Sequence, residues 1–175
     1  NSYAGISDKT VWDFTTEDID APTVAAYSPA DDSTGVGINA NLVMTFNEPV
    51  NAVFGDIRIR RSSNDLVIET IPVSNTSGTG TNTITIDPTA TFAGETGYYV
   101  EIDNTCFYDF SGNAYAGIAD KTTWNFTTED VAAPVVTSYS PADGAVSVGI
   151  NANLVLTFSE TVAAKTGDIR IRRTA

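Results

Sequence analysis

Hydrophobic and polar positions alternate along most of the chain, and the period is two. Leu42, Met44 and Phe46 point one way while Val43 and Thr45 point the other. Ile57 and Ile59 are set against Arg58 and Arg60, and Ile84 and Ile86 against Thr83 and Thr85. Trp124 and Phe126 alternate with Thr123, Asn125 and Thr127. Successive side chains of a strand face opposite sides, so this pattern predicts sheets with one buried and one wet face. Seven strands are expected, at 22–28, 41–47, 56–61, 66–73, 83–87, 97–103 and 122–128, separated by clusters of Gly, Asn, Asp, Ser and Pro. No helical period of useful length appears. The expected fold is an all-β, immunoglobulin-like antiparallel sandwich.

The chain also repeats itself. Residues 3 to 61 begin YAGISDKTVWDFTTED and end GDIRIRR, and residues 115 to 173 begin YAGIADKTTWNFTTED and end GDIRIRR. The two stretches align without a gap at an offset of 112, with 41 identities over 59 positions. A period of that length suits one sandwich domain and is far too long for a solenoid repeat. The acidic, proline-ended stretch TTEDIDAP at 15–22 recurs as TTEDVAAP at 127–134 and has the composition of a linker. The expected organisation is the end of a preceding unit at 1–18, one complete unit at 19–130 and the start of a following unit at 131–175. Segment 64–112 occurs once, so the two partial units are expected not to complete each other.

Composition narrows the function. Acids outnumber bases 22 to 9, for a formal charge of −13. Such a surface repels phosphate, which argues against nucleic acid as a partner. No apolar run approaches the roughly 18 residues of a membrane helix, so no membrane insertion is expected. Histidine is absent, which removes the commonest general base and transition-metal ligand. Cys106 is the single cysteine and is expected to be a buried, inert thiol.

The unit resembles the SbsA-type bacterial Ig-like domain of S-layer and other surface proteins. The likeness is carried by APTVAAYSPADDSTGV, NLVMTFNEPV, TITIDPTATFAGETGYYVEI, DFSGNAYAGI and TTWNFTT, in that order along the whole unit. It implies the sandwich fold and a spacer, stalk or surface-layer role. The Cys–Trp–Cys arrangement of antibody domains is missing, but Tyr98 or Tyr99 stands where a tyrosine-corner contact is expected.

Several residues are candidates for binding. Glu17, Asp18, Asp20 and Asp31 surround the first junction, and Glu129, Asp130 and Asp143 the second. Calcium takes six to eight oxygen ligands and could lock units end to end there; the alternative is a solvated acidic linker. At the second junction Asp20 becomes Ala132 and Asp32 becomes Gly144, so a site would rest on the acids that remain. Asp109, Ser111, Asn113 and Asp120 imitate the spacing of an EF-hand loop, yet Ala114 occupies the glycine position, and a plain turn is the stronger expectation. Glu48 and its copy Glu160 are expected to be structural or solvated, because a spacer has no reason to duplicate a catalytic carboxylate.

Arg58, Arg60 and Arg61 recur as Arg170, Arg172 and Arg173. They either pair across strands with Glu69 or Glu101 or dock on an acidic face of a neighbouring unit. Tyr27 and Tyr115 have counterparts at Tyr139 and Tyr3, which suits packing at each junction. The sequons at Asn75 and Asn125 are short and carry little weight. The functional expectation is a non-catalytic structural repeat of an extracellular filament, stalk, adhesin or surface layer. Its partners would be neighbouring repeats and other copies in a fibre or layer. The alternative is a module binding carbohydrate or a receptor, with Tyr27, Tyr108 and Tyr115 as its exposed aromatics.

Overall fold

The structure is a computed structural model and describes residues 1–173. It divides into two compact units, Asn1–Asp130 and Val131–Ala175. Eleven strands are formed among the described residues: β1 (Val24–Ser28), β2 (Ser33–Val36), β3 (Leu42–Ala52), β4 (Asp56–Arg61), β5 (Val67–Pro72), β6 (Thr81–Ile86), β7 (Gly97–Ile102), β8 (Phe107–Tyr108), β9 (Asn125–Thr128), β10 (Val136–Ser140) and β11 (Val155–Phe158). The helical content is one 3-10 turn at Val73–Asn75, so no helix among the described residues could cross a membrane.

In the first unit, β1, β3 and β6 form one sheet, with β8 joined to the far end of β3. The other sheet has the order β2-β9-β7-β4-β5. All pairings are antiparallel except β2 with β9. The residues that alternate inward in the sequence fill the core. Leu42, Met44, Ile57, Ile59, Ile84, Ile86, Val100 and Trp124 are fully buried. Burying a side chain of that size stabilises a fold by about 1.5–3 kcal/mol relative to leaving it exposed. Tyr98 closes the base of β7, where its hydroxyl accepts the Ala93 backbone N–H at 2.9 Å. This is the corner contact anticipated at Tyr98 or Tyr99; Tyr99 instead donates to Asp65 at 3.0 Å.

Each of the seven expected ranges overlaps a strand, with three differences. The strand expected at 41–47 runs on to Ala52 as β3. The β3–β6 register shifts between Thr45 and Val50, so Pro49 falls where no ladder bond is required of it. The strand expected at 122–128 begins at Asn125, because the Asp120 carboxylate captures the backbone N–H groups of Thr122 and Thr123. The short strands β2 and β8 lie outside the expected ranges.

The second unit contains the β10–β11 pair. Its register matches Val136 with Phe158, Ser138 with Thr157, Tyr139 with Leu156 and Ser140 with Val155. The β1–β3 register is the same after subtraction of 112, bulge included. Residues 168–173, which correspond to β4, are not a strand, and Ile169 and Ile171 are 91% and 82% exposed.

Candidate functional site

Three carboxylates from distant parts of the first unit meet at its linker. Asp18 lies in the linker ahead of β1, Glu48 in the bulged part of β3, and Asp109 just after β8. One oxygen from each lies within 4.8 Å of the others. The bulge that takes Asn47–Pro49 out of the β3–β6 ladder carries Glu48. The bulge is also tied to the start of β1: Asn47 N–H donates to the Thr23 carbonyl and Thr23 N–H to Asn47 Oδ1.

Asp109 is the fixed member of the group. It is 4% exposed, and its Oδ1 accepts the backbone N–H groups of Ser111 at 2.8 Å and Asn113 at 2.7 Å. Its Oδ2 accepts Asn113 Nδ2 at 2.7 Å. Burial pushes this carboxyl up, but the hydrogen bonds from Asn113 and Ser111 outweigh it and hold Asp109 below the usual carboxylate range. Asn113 Nδ2 also donates to the Asp18 carbonyl at 3.1 Å, which ties the linker to the turn. Glu48 behaves in the opposite way. Desolvation, followed by the charges of Asp18 and Asp109, lifts its carboxyl above the ordinary range.

The donor set consists of oxygens alone. It suits a hard cation such as calcium, which binds carboxylates and carbonyls at 2.3–2.6 Å and accepts irregular geometry. A divalent cation would also neutralise the repulsion from Asp18 and Asp109 that adds to the effect of desolvation on Glu48.

The sequence-derived candidates fall in several places. Asp18 joins the cluster. Asp20 donates its backbone N–H to Asp18 Oδ1 at 3.0 Å and adds to the charge around Glu48. Glu17 lies exposed beside them in the linker. Asp31 is engaged elsewhere, accepting Asn125 N–H at 2.9 Å and Asn125 Nδ2 at 3.0 Å. Glu129 Oε1 accepts the Ile38 N–H at 3.3 Å. Asp130 closes the first unit, and Asp143 lies in the second. The EF-hand-like spacing does not assemble as a loop site: Asp109 closes the Ser111–Asn113 turn, while Asp120 holds Thr122 and Thr123 and is lowered to about 2 by those hydrogen bonds.

Glu48 and Asp109 were not expected to act together. Spacing could not reveal it, since 30 and 61 residues separate the three acids. One signal was available: Asp18 and Glu48 both persist at the offset of 112, as Asp130 and Glu160, whereas Asp20 becomes Ala132.

The arginines are largely satisfied within the sheet. Arg58 grips Asp103 with Nη1–Oδ1 at 2.7 Å and reaches Asp56 at 3.4 Å, and Arg60 pairs with Glu101 at 2.7 Å. Glu69, the other expected partner, instead accepts from Thr89 and Ala90. Arg61 Nε is buried without a hydrogen-bond partner. Tyr27 stacks on Trp124 with ring centroids 4.7 Å apart. Tyr115 lies in the core beside Phe46 and shares a hydrogen bond with Tyr27; burial, then that bond, raises its hydroxyl well above the ordinary value. Tyr108 is half-buried. Cys106 is fully buried, and desolvation pushes its thiol up to about 11, leaving it without thiolate character near neutrality. Asn75 is exposed on the 3-10 turn, and the Asn125 amide is held by Asp31 and Asp32.

A family model described as a bacterial Ig-like domain matches residues 18–128 and, separately, residues 130–174. Among solved structures, the crystal structure of CopC from Methylosinus trichosporium OB3b is similar, with 12% identity, a TM-score of 0.46 and coverage of 64% of this chain and 97% of that one. At that score the likeness carries no argument about function. Comparison with curated proteins gives no match.

Proposed function

The chain belongs to the bacterial Ig-like domain family, and from that premise we propose that it is a non-catalytic structural segment of an extracellular filament, stalk, adhesin or surface layer. In this reading its units are arranged in tandem with a period of 112 residues and are of the SbsA type that their sequence resembles. Its partners are the neighbouring repeats and, laterally, other copies.

The observation that carries this reading is the duplication itself. The 112-residue offset preserves 41 of 59 residues, and β10–β11 has the register of β1–β3. Selection that keeps a whole module, linker included, favours length and regular spacing over a single unique site. The junction supports the same reading. A calcium ion held by Asp18, Glu48 and Asp109 would fasten the linker to the body of the unit and stiffen the joint with the unit before it. Its chemistry there is electrostatic cross-linking of carboxylates, with no part in a reaction.

The test is electron microscopy of a chain carrying three consecutive 112-residue units. Rods whose length grows by a constant increment per unit are expected. Compact particles whose longest dimension does not scale with unit number would contradict the proposal.

A further inference from the structure

A cleft of about 450 Å³ lies on the outer face of the five-stranded sheet, and its lining includes Arg58, Glu101, Asn104, Thr105, Ala116 and Ala119. Its volume is that of a small-molecule site. The floor follows from the alternation of two paired strands. Ile57 and Ile59 of β4 and Val100 and Ile102 of β7 lie in the core, so Arg58 and Glu101, which are register partners, face outward. The wall is segment 116–119, which Ile118 fastens to the end of β7. Ile102 N–H donates to the Ile118 carbonyl at 2.8 Å, and Ile118 N–H donates to the Ile102 carbonyl at 2.9 Å. Gly117 permits that approach, since a Cβ there would stand 2.5 Å from the Ile102 carbonyl oxygen. Asn104 and Thr105 close the end of the cleft, on the turn in which Cys106 N–H donates to the Asp103 carbonyl.

Some polar groups of the cleft are held and others are free. Asp103 grips Arg58 at 2.7 Å and Arg60 Nε donates to Glu101 Oε2 at 2.7 Å, so both floor side chains are fixed in place. Glu101 Oε1, the Asn104 amide and the Thr105 hydroxyl hold no hydrogen bond among the described residues. Ala116 and Ala119 are exposed, so the wall presents methyl groups. This combination selects the ligand. A cation is opposed by Arg58, and an anion by Glu101 and Asp103 on a chain of charge −13. An apolar ligand would desolvate those charges and meets no aromatic side chain in return. A peptide strand finds no edge, because β4 and β7 are paired on both sides. A neutral polyhydroxyl ring fits. Its hydroxyls both donate and accept, and its C–H face matches the methyl wall.

We propose that this cleft binds a neutral saccharide, with one pyranose ring between Glu101 and the Ala116–Ala119 wall. Ring hydroxyls donate to Glu101 Oε1 and bond to the Asn104 amide and the Thr105 hydroxyl. Asp103 and Arg60 act through Arg58 and Glu101, as positioning residues. With no aromatic ring to stack on, a single site is weak, of roughly millimolar Kd. Where the sequence repeats, Arg58 returns as Arg170 and Ala116–Ile118 as Ala4–Ile6, while Ala119 becomes Ser7. One weak site per unit gives a longer array its avidity without any new contact. The site goes beyond the proposed structural role and does not depend on it.

The experiment is an NMR titration of the full, nitrogen-15-labelled chain with the methyl glycosides of glucose, galactose, mannose, xylose and N-acetylglucosamine. Each is taken to roughly 50 mM, which saturates a site of millimolar Kd. The expected result is that at least one glycoside moves the Asn104, Thr105, Ala116 and Ala119 amides along a saturable curve. Glucuronate, with its negative charge, should bind roughly tenfold more weakly. Asn104→Ala should weaken binding by roughly fivefold or more, and Ala116→Arg, which fills the cleft, should abolish it. Both positions are exposed, and an unchanged spectrum away from the cleft checks that each variant is folded. No saturable shift at the cleft with any of these glycosides, equal binding by Asn104→Ala, or glucuronate binding as tightly as the neutral sugars would each overturn the proposal. Rod formation by longer arrays is untouched by any of these outcomes, so the two readings fail separately.

Discussion

Glu48 links the chemistry of the junction to a measurable sign. Its carboxyl lies above the ordinary value of 4.5, through burial first and then through Asp18 and Asp109. A carboxyl with a higher pKa folded than unfolded holds its proton more tightly in the folded state, so its ionisation costs stability. That cost is absent below pH 4.5 and complete once pH has passed the folded value. In chelator at pH 7, Glu48→Gln is therefore expected to raise the thermal midpoint, and the gain should vanish in titrations carried below pH 4.5. In calcium the order reverses. The natural chain should gain about 2.7 kcal/mol when the ion stands at about 100 times its Kd, and the variant should gain little. A natural-chain midpoint unmoved by calcium would remove the metal from the junction. Tyr98 offers a separate check on the fold. Tyr98→Phe removes the bond between the buried tyrosine hydroxyl and the Ala93 N–H on the exposed loop, and should cost about 0.5–1.5 kcal/mol in denaturant unfolding.

At the scale of elements, β3, β4, β6 and β9 were legible because their buried residues alternate, whereas β7 buries Tyr98, Tyr99 and Val100 in succession and was legible from its run of aromatic and β-branched residues. The alternation at Leu42, Met44 and Phe46 needs no knowledge of the partner strand. Strand β2 gave no such signal. Its middle residues Thr34 and Gly35 are exposed, and its partner β9 lies some 90 residues away in sequence. Strand β8 is only two residues long. The acid cluster was illegible for the same reason as β2: topology brings 18, 48 and 109 together, and no local rule encodes that meeting.

The turn leading into β6 shows how closely backbone and strand are fitted there. A Cβ on Gly78 would lie 1.9 Å from the Thr83 carbonyl oxygen, and φ is +97°, whereas one on Gly80 would meet nothing within 4 Å. Gly78→Ala is expected to cost about 2–4 kcal/mol, because a rigid carbonyl must move. Gly80→Ala should cost about 1 kcal/mol, from its positive φ alone. Equal effects in urea unfolding would show that the turn is less tightly fixed than its geometry indicates.

For the whole molecule, the charge of −13 is spread over a chain whose linkers are themselves acidic. Like charges along an array oppose its folding back on itself, and salt weakens that opposition. A cation at each junction would act in the same direction more locally, by fixing the linker to the turn that Asp109 and Asn113 build. The central claim is that these units are joined end to end by a stiffened joint. Small-angle X-ray scattering from two consecutive complete units, in calcium and then in chelator, addresses it most directly. The expected result is an extended two-lobed distance distribution in calcium that broadens toward shorter distances in chelator. A single compact distribution, the same in both conditions, would contradict the account.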